Sequence, residues 1–434
     1  MTFADGSSEN EIVVNSSGKI LSGSYKLPDG LFAGWYSDKT CTKRVETDSN
    51  GLPVDGLMSD MDLYAKTKTF VLKKGSDFNK LIPSTATSVI FTDETMPTSA
   101  ALIDADADGD GGVVAWMDGN TMNVSSQTPG QKVIASTNCE EMFYNKSKLI
   151  SIDFTNLNTA KVTNMDFMFF YCSGLTNLNL TPLDTSKVTS MSCMFDGCSG
   201  LTSLDLTSLD TQNVTDMSFM FAGCSGLTNL NLTPLSTQNV TDMRFMFDGC
   251  SGLTNLDLTP LSTQNVTNMN FMFRGCSGLT NLNLTPLNTQ NVTNMSSMFR
   301  DCSGLTNLDL TPLNTQNVTN MSSMFRGCSG LTNLDLTPLN TQNVTDMSVM
   351  FSSCSGLTNL DLTHLDTQNV TDMSDMFYDC TALSTLSLGE KFSFVGSNYY
   401  LPSGTWYSSD GTAYTSDGNS CTIPSNKADT YIRR

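Results

Sequence analysis

Residues 175–200, LTNLNLTPLDTSKVTSMSCMFDGCSG, decide the fold because the stretches on either side are near-copies of them. The next copy, LTSLDLTSLDTQNVTDMSFMFAGCSG, begins at Leu201, and later copies follow at a constant spacing of 26 residues. These later copies begin at Leu227, Leu253, Leu279, Leu305, Leu331 and Leu357, with a looser first copy at Leu149 and a truncated last one at Leu383. A fixed period in this range predicts stacked units that bury their apolar faces against one another.

Each copy carries two apolar stripes, and its positions are numbered 1 to 26 from the first leucine. Positions 1, 4, 6 and 9 are leucine in almost every copy, and this L-x-x-L-x-L spacing predicts a strand, which a proline at position 8 ends. The second stripe, at positions 14, 17, 20, 21 and 24, is in one copy Val266, Met269, Met272, Phe273 and Cys276. Steps of three and four residues predict a short helix with these side chains facing inward, capped by the residues at positions 13 and 16, and a mixed 3₁₀ and α geometry fits as well.

The predicted fold class is an α/β solenoid. It is a leucine-rich-repeat-like, right-handed stack of parallel strands with short helices, capped by small β-rich flanking segments. Along the chain we expect a polar lead at 1–18, a small β-rich module at 19–66, a β-rich N-terminal cap at 67–148, a solenoid of nine copies plus a terminal strand at 149–388, and a C-terminal cap at 389–434. The caps are needed because the ends of such a stack expose its apolar core.

Nine of the 13 cysteines occupy position 24 of successive copies, on the predicted inner face: Cys172, Cys198, Cys224, Cys250, Cys276, Cys302, Cys328, Cys354 and Cys380. No two of them stand two to four residues apart, so the ladder lacks the usual spacing of zinc ligands. A disulfide ladder is allowed by distance, but a small buried apolar side chain is the interpretation we favour. Cys193 differs, because it occupies position 19, which the helical prediction turns outward. The pairing of Cys41, Cys139 and Cys421 in the flanks does not follow from the sequence.

The repeat consensus MFxGCSGLTNLDLTPLxTQNVTDMSxMF resembles the BspA-type leucine-rich repeat, a 26-residue class of surface proteins, over residues 149–388. The flanks resemble associated modules. FAGWYSD at 32–38, followed by DLYAK at 62–66, is similar to the Listeria–Bacteroides repeat, and GTWYSSDGTAY at 404–414 with ADTY at 428–431 is similar to the tail that closes such arrays. The resemblance implies an extracellular, non-catalytic protein of binding and adhesion. It supplies no binding residues.

Charge and hydropathy exclude several classes of partner. The formal net charge of −20 and the pI of about 4.2 argue against nucleic acid, because such a surface repels phosphate. No apolar run reaches the length of about 18 residues that membrane insertion requires. Residues 1–14 are acidic and lack the apolar core of a signal peptide. Export signals on a longer parent chain and carriage by a phage particle are alternatives that stay open, and we expect a monomer.

An acidic segment matches the first half of a calcium-binding loop. Asp104, Asp106 and Asp108 stand at loop positions 1, 3 and 5 of a calcium-binding loop, Gly109 stands at position 6, and Asp110 follows. Position 12, where a bidentate glutamate belongs, is alanine. The predicted metal ligands are Asp104, Asp106, Asp108 and Asp110. A solvated acidic turn is the preferred interpretation because the glutamate ligand at position 12 is missing, and no other cofactor is expected.

Repeat position 19 varies most among the copies, and the predicted helix would turn it toward solvent. It carries phenylalanine in several copies and then serine, valine or aspartate, while position 22 beside it changes from aspartate to arginine. An exposed aromatic row flanked by charges is typical of a protein interface. The predicted partner-binding residues are Phe219, Phe245, Phe271, Arg274, Arg300 and Arg326. The alternative is random drift at an unconstrained surface position.

Position 5 carries Asp309, Asp335 and Asp361 in consecutive copies. Parallel strands about 4.8 Å apart would hold these carboxylates close together, which predicts at least one raised pKa or a bound cation. Their spacing also suits a retaining glycosidase, but no environment distinguishes an acid from a nucleophile. A solvated polar ladder is the preferred interpretation.

The motifs of common enzymes are missing from the sequence. The chain has one histidine, His364, at a strand-ending turn, and it has no phosphate loop or nucleophile elbow. We expect a non-enzymatic secreted or cell-surface recognition protein that binds protein or glycan on a host or neighbouring cell. The second hypothesis is a structural spacer that displays another domain. Near-identity of the copies favours the spacer, whereas variation at positions 19 and 22 favours recognition.

Overall fold

The computed structural model describes residues 2–3, 32–38, 40–47, 64–425 and 427–434. Most of the predicted lead at 1–18 and much of the predicted module at 19–66 therefore lie outside the described residues. Two compact units are formed, the first by Met1–Lys73, Val89–Ser136 and Thr155–Asn158, and the second by Lys74–Ser88, Thr137–Phe154 and Thr159–Arg434. Residues 67–148 contribute to both units.

Short strands dominate the regular structure of the described residues. In chain order the elements are β1 (Thr2–Phe3), β2 (Phe32–Tyr36), β3 (Tyr64–Thr67), α1 (Gly75–Leu81), β4 (Ser88–Phe91), β5 (Ile103–Asp104), β6 (Val114–Asp118), β7 (Thr121–Ser125), β8 (Val133–Ile134), β9 (Ser151–Asp153), β10 (Leu157–Asn158), β11 (Asn359–Leu362), β12 (Thr385–Leu388), β13 (Gly404–Tyr407), β14 (Ala413–Ser416) and β15 (Asp429–Arg433). In the first unit, β3 pairs in parallel with β1 and antiparallel with β2. Strands β5, β6, β7 and β4 are hydrogen-bonded in that order, and β8 pairs in parallel with β10.

Successive copies lie side by side in register and form what we name the repeat stack, residues 137–388. Parallel bridges join position 16 of each copy to position 16 of the next, in an unbroken series that starts at Asn138 and ends at Asp372. The L-x-x-L-x-L segment forms a regular strand only in β9, β11 and β12. The prediction of a strand in every copy is therefore wrong. The position-7 amide donates within its own copy, as Thr259 N–H does to Asp257 Oδ1 at 2.9 Å.

The short helices predicted for each copy are also wrong. The one helix in the described part of the chain, α1, lies outside residues 149–388. Position 19 has a left-handed φ of 55–60° in every copy, whereas an α-helix requires φ near −63° throughout. Alternate amides of this segment bond to the next copy, as Phe245 N–H does to Asn270 O at 3.0 Å, and the others bond three residues back. The segment is a chain of tight turns that serves as a second side of the stack.

The predicted core is confirmed by burial. In the copy that begins at Leu227, the side chains of Val240, Met243, Met246, Phe247 and Cys250 are all fully buried. The position-21 rings stack from copy to copy with centroids 5.5–6.2 Å apart. Burying each such ring contributes about 2 kcal/mol relative to exposure. The apolar pattern thus placed the right residues inside, although the backbone that carries them is not helical.

Polar side chains bridge the copies in three repeated ladders. At position 11, the buried Thr237 hydroxyl donates to Ser262 O at 3.1 Å and accepts from Ser262 N–H at 2.7 Å. At position 13, Asn239 Nδ2 donates to the preceding copy at 2.8 Å, so it bridges copies instead of capping a helix. At position 24, the Cys250 thiol donates to Phe221 O at 3.0 Å. These bonds tie backbone groups of one copy to side chains of its neighbour.

The position-24 cysteines are free thiols, so the disulfide ladder is not formed. Burial raises the pKa of the Cys250 thiol to about 12. A thiol of this kind is inert because the thiolate is the reactive form. The prediction of a small buried side chain is confirmed, and its hydrogen bond is an addition to that prediction.

The last copy is covered by antiparallel strands from the C-terminal segment. Strand β12 pairs in parallel with β11 and antiparallel with β15, and β15 continues to β13 and β14. This order saturates the backbone groups of the terminal strand, which would otherwise present an open edge. Trp406 of β13 and Tyr431 of β15 are fully buried.

Candidate functional site

Three phenylalanines at position 19, Phe219, Phe245 and Phe271, form what we name the aromatic row. The ring centroids of successive members are 4.2 and 4.3 Å apart, and the rings are within 8° of parallel. All three are half-buried rather than fully exposed. Because position 19 adopts the same left-handed conformation in copies that are in register, equivalent rings lie face to face. The outward orientation predicted from a helix is therefore corrected to a half-exposed stack.

The row is bounded by small buried side chains. Cys193 precedes it at position 19 and Ser297 follows it, and both are buried. The prediction that Cys193 points outward is wrong, and burial raises the pKa of its thiol to about 11.

Arg274 is held against the row. Its guanidinium carbon lies 5.0 Å from the Phe271 ring centroid and 5.5 Å from that of Phe245. Its Nε donates to Asp248 Oδ1 at 2.6 Å, and its Nη2 bonds to the second carboxylate oxygen. A bidentate pair of this kind fixes the guanidinium plane over the rings.

The other two predicted arginines do not join this arrangement. Arg300 bonds to Asp301 at 3.2 Å, and Arg326 lies two copies beyond the last ring of the row. The structure thus brings together four of the six predicted partner-binding residues. An acidic residue that the prediction did not name, Asp196, lies at position 22 before the row. Burial and the nearby Asp248 carboxylate raise its pKa to about 7.

The acidic loop, residues 104–112, is arranged differently from the predicted calcium loop. One carboxylate oxygen from each of Asp106, Asp108 and Asp110 lies within 4.8 Å of the others. Asp104 is not part of this cluster, because its carboxylate pairs with Lys73 Nζ at 3.2 Å. The cluster therefore begins two residues later than the sequence pattern placed it.

A lysine balances part of the charge of the acidic loop. Lys66 Nζ lies 2.6 Å from Asp108 and 3.7 Å from Asp110. Although burial opposes ionisation of Asp108, the hydrogen bond from Lys66 holds its pKa below the usual range. Burial and the carboxyl groups of Asp108 and Asp110 raise the pKa of Asp106. No local sequence pattern indicates Lys66, because it is about 40 residues away along the chain.

The position-5 carboxylates do not behave as predicted. The hydroxyl and amide of Thr311 donate to Asp309, and Thr337 makes the same contacts with Asp335. These bonds lower the pKa of both carboxyls, so the predicted increase from mutual repulsion is wrong for them. The recurring Asx-Leu-Thr sequence was the signal, because a threonine two residues on can stabilise the carboxylate.

A concave surface that the sequence reasoning missed lies at the end of the repeat stack. It encloses about 330 Å³ and is lined by Tyr378, Tyr400 and Arg433, among others. Tyr378 is 51% exposed and meets Tyr400 edge to face with centroids 5.4 Å apart. The only sequence signal was an aromatic residue at position 22 in the last full copy. No helix in the described part of the chain combines the length and apolar character that a membrane span requires.

Three segments, residues 137–255, 227–312 and 303–392, match the family described as "Mycoplasma protein of unknown function, DUF285". No curated protein matches the chain. A crystal structure of a leucine-rich cell surface protein from Faecalibacterium prausnitzii A2-165 is similar, with 16% identity over 69% of this chain and 87% of that one, and a TM-score of 0.26. The three family matches together span residues 137–392, more than half of the 434 residues. The chain therefore belongs to the DUF285 family.

Proposed function

We propose that this chain is a non-enzymatic, secreted or cell-surface recognition protein whose repeat stack is a BspA-like solenoid. It binds protein or glycan on a host or neighbouring cell through the aromatic row, and it acts as a monomer without entering a membrane. The resemblance of its repeats and flanks to bacterial surface modules supports the extracellular location. Its net charge of −20 disfavours nucleic acid as the partner.

The aromatic row is the observation that carries this proposal. Core positions repeat in every copy, whereas three consecutive copies alone place stacked, half-exposed phenylalanines beside a fixed arginine. Both faces of the Phe245 ring are covered by its neighbours, so a partner meets ring edges and the Arg274 guanidinium. Aromatic rings and arginine, clustered and partly desolvated, are the side chains that dominate binding at interfaces.

The chemistry of the remaining groups supports a non-enzymatic role. Burial raises the pKa of the position-24 thiols, which removes them as nucleophiles at neutral pH. His364 is exposed at the strand-ending turn, where position 8 carries proline in most copies. A binding protein needs no reactive group, so these features fit the proposal.

The test compares the full chain with two variants on a glycan array and against extracellular matrix proteins. The triple variant Phe219→Ser, Phe245→Ser, Phe271→Ser removes the row. Serine already occupies this backbone conformation at Ser297 and Ser323, so the thermal unfolding midpoint should change little. Val349→Ser is the matched control at the same repeat position outside the row. We expect the triple variant to lose affinity by about tenfold or more, and the control to bind as the wild type does.

Equal binding of the triple variant to every wild-type partner would reject the row as the site. The second candidate, a spacer, is favoured by the Thr, Asn and Cys ladders, which recur in nearly every copy and give no position an individual role. Wild-type protein that binds no ligand in either screen would favour the spacer.

A further inference from the structure

The acidic loop contains a second calcium-loop pattern, which begins two residues after the predicted one. Asp106, Asp108 and Asp110 take loop positions 1, 3 and 5, and Gly111 takes position 6. Gly111 has a φ of +75°, in the left-handed region that the sharp turn of such a loop uses. The three carboxylates that this frame selects are those that the structure brings within 4.8 Å of one another.

A buried oxygen without a partner gives independent evidence for a ligand. The Asp106 side chain is completely buried, and its Oδ2 accepts from the amides of Asp110 at 2.6 Å and Gly111 at 3.2 Å. Its Oδ1 has no hydrogen-bond partner. A buried carboxylate oxygen left unpaired is costly, and such atoms in native proteins usually meet water, a proton or an ion.

The charge balance indicates which kind of ligand would fit. Lys66 supplies one positive charge against the three carboxyl groups, and it contacts Asp108 and Asp110. A divalent cation would supply the remaining charge and take the free oxygen of Asp106. Calcium accepts a flexible set of carboxylate, backbone and water oxygens, whereas magnesium demands near-octahedral geometry.

We propose that Asp106, Asp108 and Asp110 form a calcium site, with Lys66 as the cation that calcium competes against. The site lies in the first unit, so a test of calcium binding is independent of recognition by the aromatic row. Its role would be to stabilise this loop in calcium-rich surroundings, because a ligand that binds the folded state alone raises stability.

The experiment is calorimetric titration of calcium chloride into the EDTA-stripped full chain, with thermal unfolding measured in calcium and in EDTA. We expect one bound ion and a higher unfolding midpoint in calcium. Asp106→Asn and Asp108→Asn should each weaken binding by roughly tenfold or more, because each removes a charged ligand. Asp104→Asn is the matched control, with an expected change of less than about twofold, since that carboxylate faces Lys73.

Lys66→Met provides a test in the opposite direction, because removing the competing ammonium should raise calcium affinity. If Asp106→Asn does not fold, the titrations of Asp108→Asn and Lys66→Met test the proposal. Both of these side chains are partly exposed, so we expect both variants to fold. No heat and no midpoint shift for the wild type at millimolar calcium would overturn the proposal. So would equal losses in Asp104→Asn and Asp108→Asn, or weaker binding by Lys66→Met.

Discussion

Positions 24 and 19 of the repeat lie five residues apart in the same chain of turns, yet one is constant and the other varies from copy to copy. Position 24 is cysteine from Cys172 to Cys380, buried throughout, and its thiol donates to the preceding copy. Position 19 holds phenylalanine, cysteine, serine, valine or aspartate, and its φ stays at 55–60° in all of them. The repeated bonds between copies therefore set the backbone path. Position 19 is left free to carry a surface that differs from copy to copy.

The largest effect is expected where the copies approach most closely. A Cβ added to Gly252, at position 26, would lie 2.4 Å from Ser225 O and 2.7 Å from Leu227 O. Because both contacts are with backbone, Gly252→Ala should destabilise the chain by about 3 kcal/mol in denaturant unfolding. Gly249→Ala is the control, because the nearest atoms to its Cβ are 3.7 Å away. We expect it to lose only about 1 kcal/mol, from placing alanine in the left-handed backbone conformation. Similar losses in the two variants would contradict close stacking of the copies.

The polar ladders come next in size. Thr237→Val keeps the shape of the side chain but leaves two bonding groups of Ser262 without their partner, so we expect a loss of about 2 kcal/mol. Thr241→Val is the control, because that exposed hydroxyl makes only a 3.4 Å contact, and its loss should stay below about 0.5 kcal/mol. Urea unfolding of the full chain measures both. A Thr237→Val protein as stable as the wild type would show that the ladder is incidental.

Relieving backbone strain at position 19 should stabilise the chain. Val349 has a φ of 60°, which is unfavourable for a β-branched residue, and asparagine tolerates this conformation. Val349→Asn should raise the free energy of unfolding by about 1 kcal/mol, and Val349→Ala should gain less. A net loss in Val349→Asn would mean that packing by the valine matters more than its backbone conformation.

The remaining prediction concerns the pH dependence of stability. The pKa of Asp196 is raised from 3.8 to about 7 in the folded chain, so the folded state binds the proton more tightly than the unfolded state. Its stabilising contribution is complete below about pH 4 and is lost as the pH rises through 7. As the pH rises over this range, the unfolding midpoint of the wild type should therefore fall relative to that of Asp196→Asn. A difference that is constant with pH would show that Asp196 is not buried beside the row.

The sequence predicted the period, the stacking and the core side chains, because these depend only on which residues are apolar. It could not predict the backbone of the second stripe. Steps of three and four residues fit an α-helix, but they also fit successive turns in which every fourth residue is left-handed. Glycine at position 23, as in Gly197 and Gly223, was an available signal against a helix.

The candidate sites were predicted in part for the same reason. Variation at repeat position 19 singled out Phe219, Phe245 and Phe271 as candidate site residues. The stacking of their rings depends on the left-handed backbone, which the sequence pattern did not predict. The aspartates identified the acidic loop as a candidate site. The sequence pattern did not show that Asp104 pairs with Lys73 and so lies outside the carboxylate cluster. Contacts of this kind join residues that are far apart in the chain, and no local pattern records them.

Far-UV circular dichroism of the full chain tests the central claim, since the ladders and the aromatic row both depend on turns instead of helices in the second stripe. Among the described residues, only the seven of α1 are α-helical. We expect a spectrum without the paired minima of an α-helix. A spectrum with strong helical minima, as one helix per copy would give, would contradict the account of both surfaces.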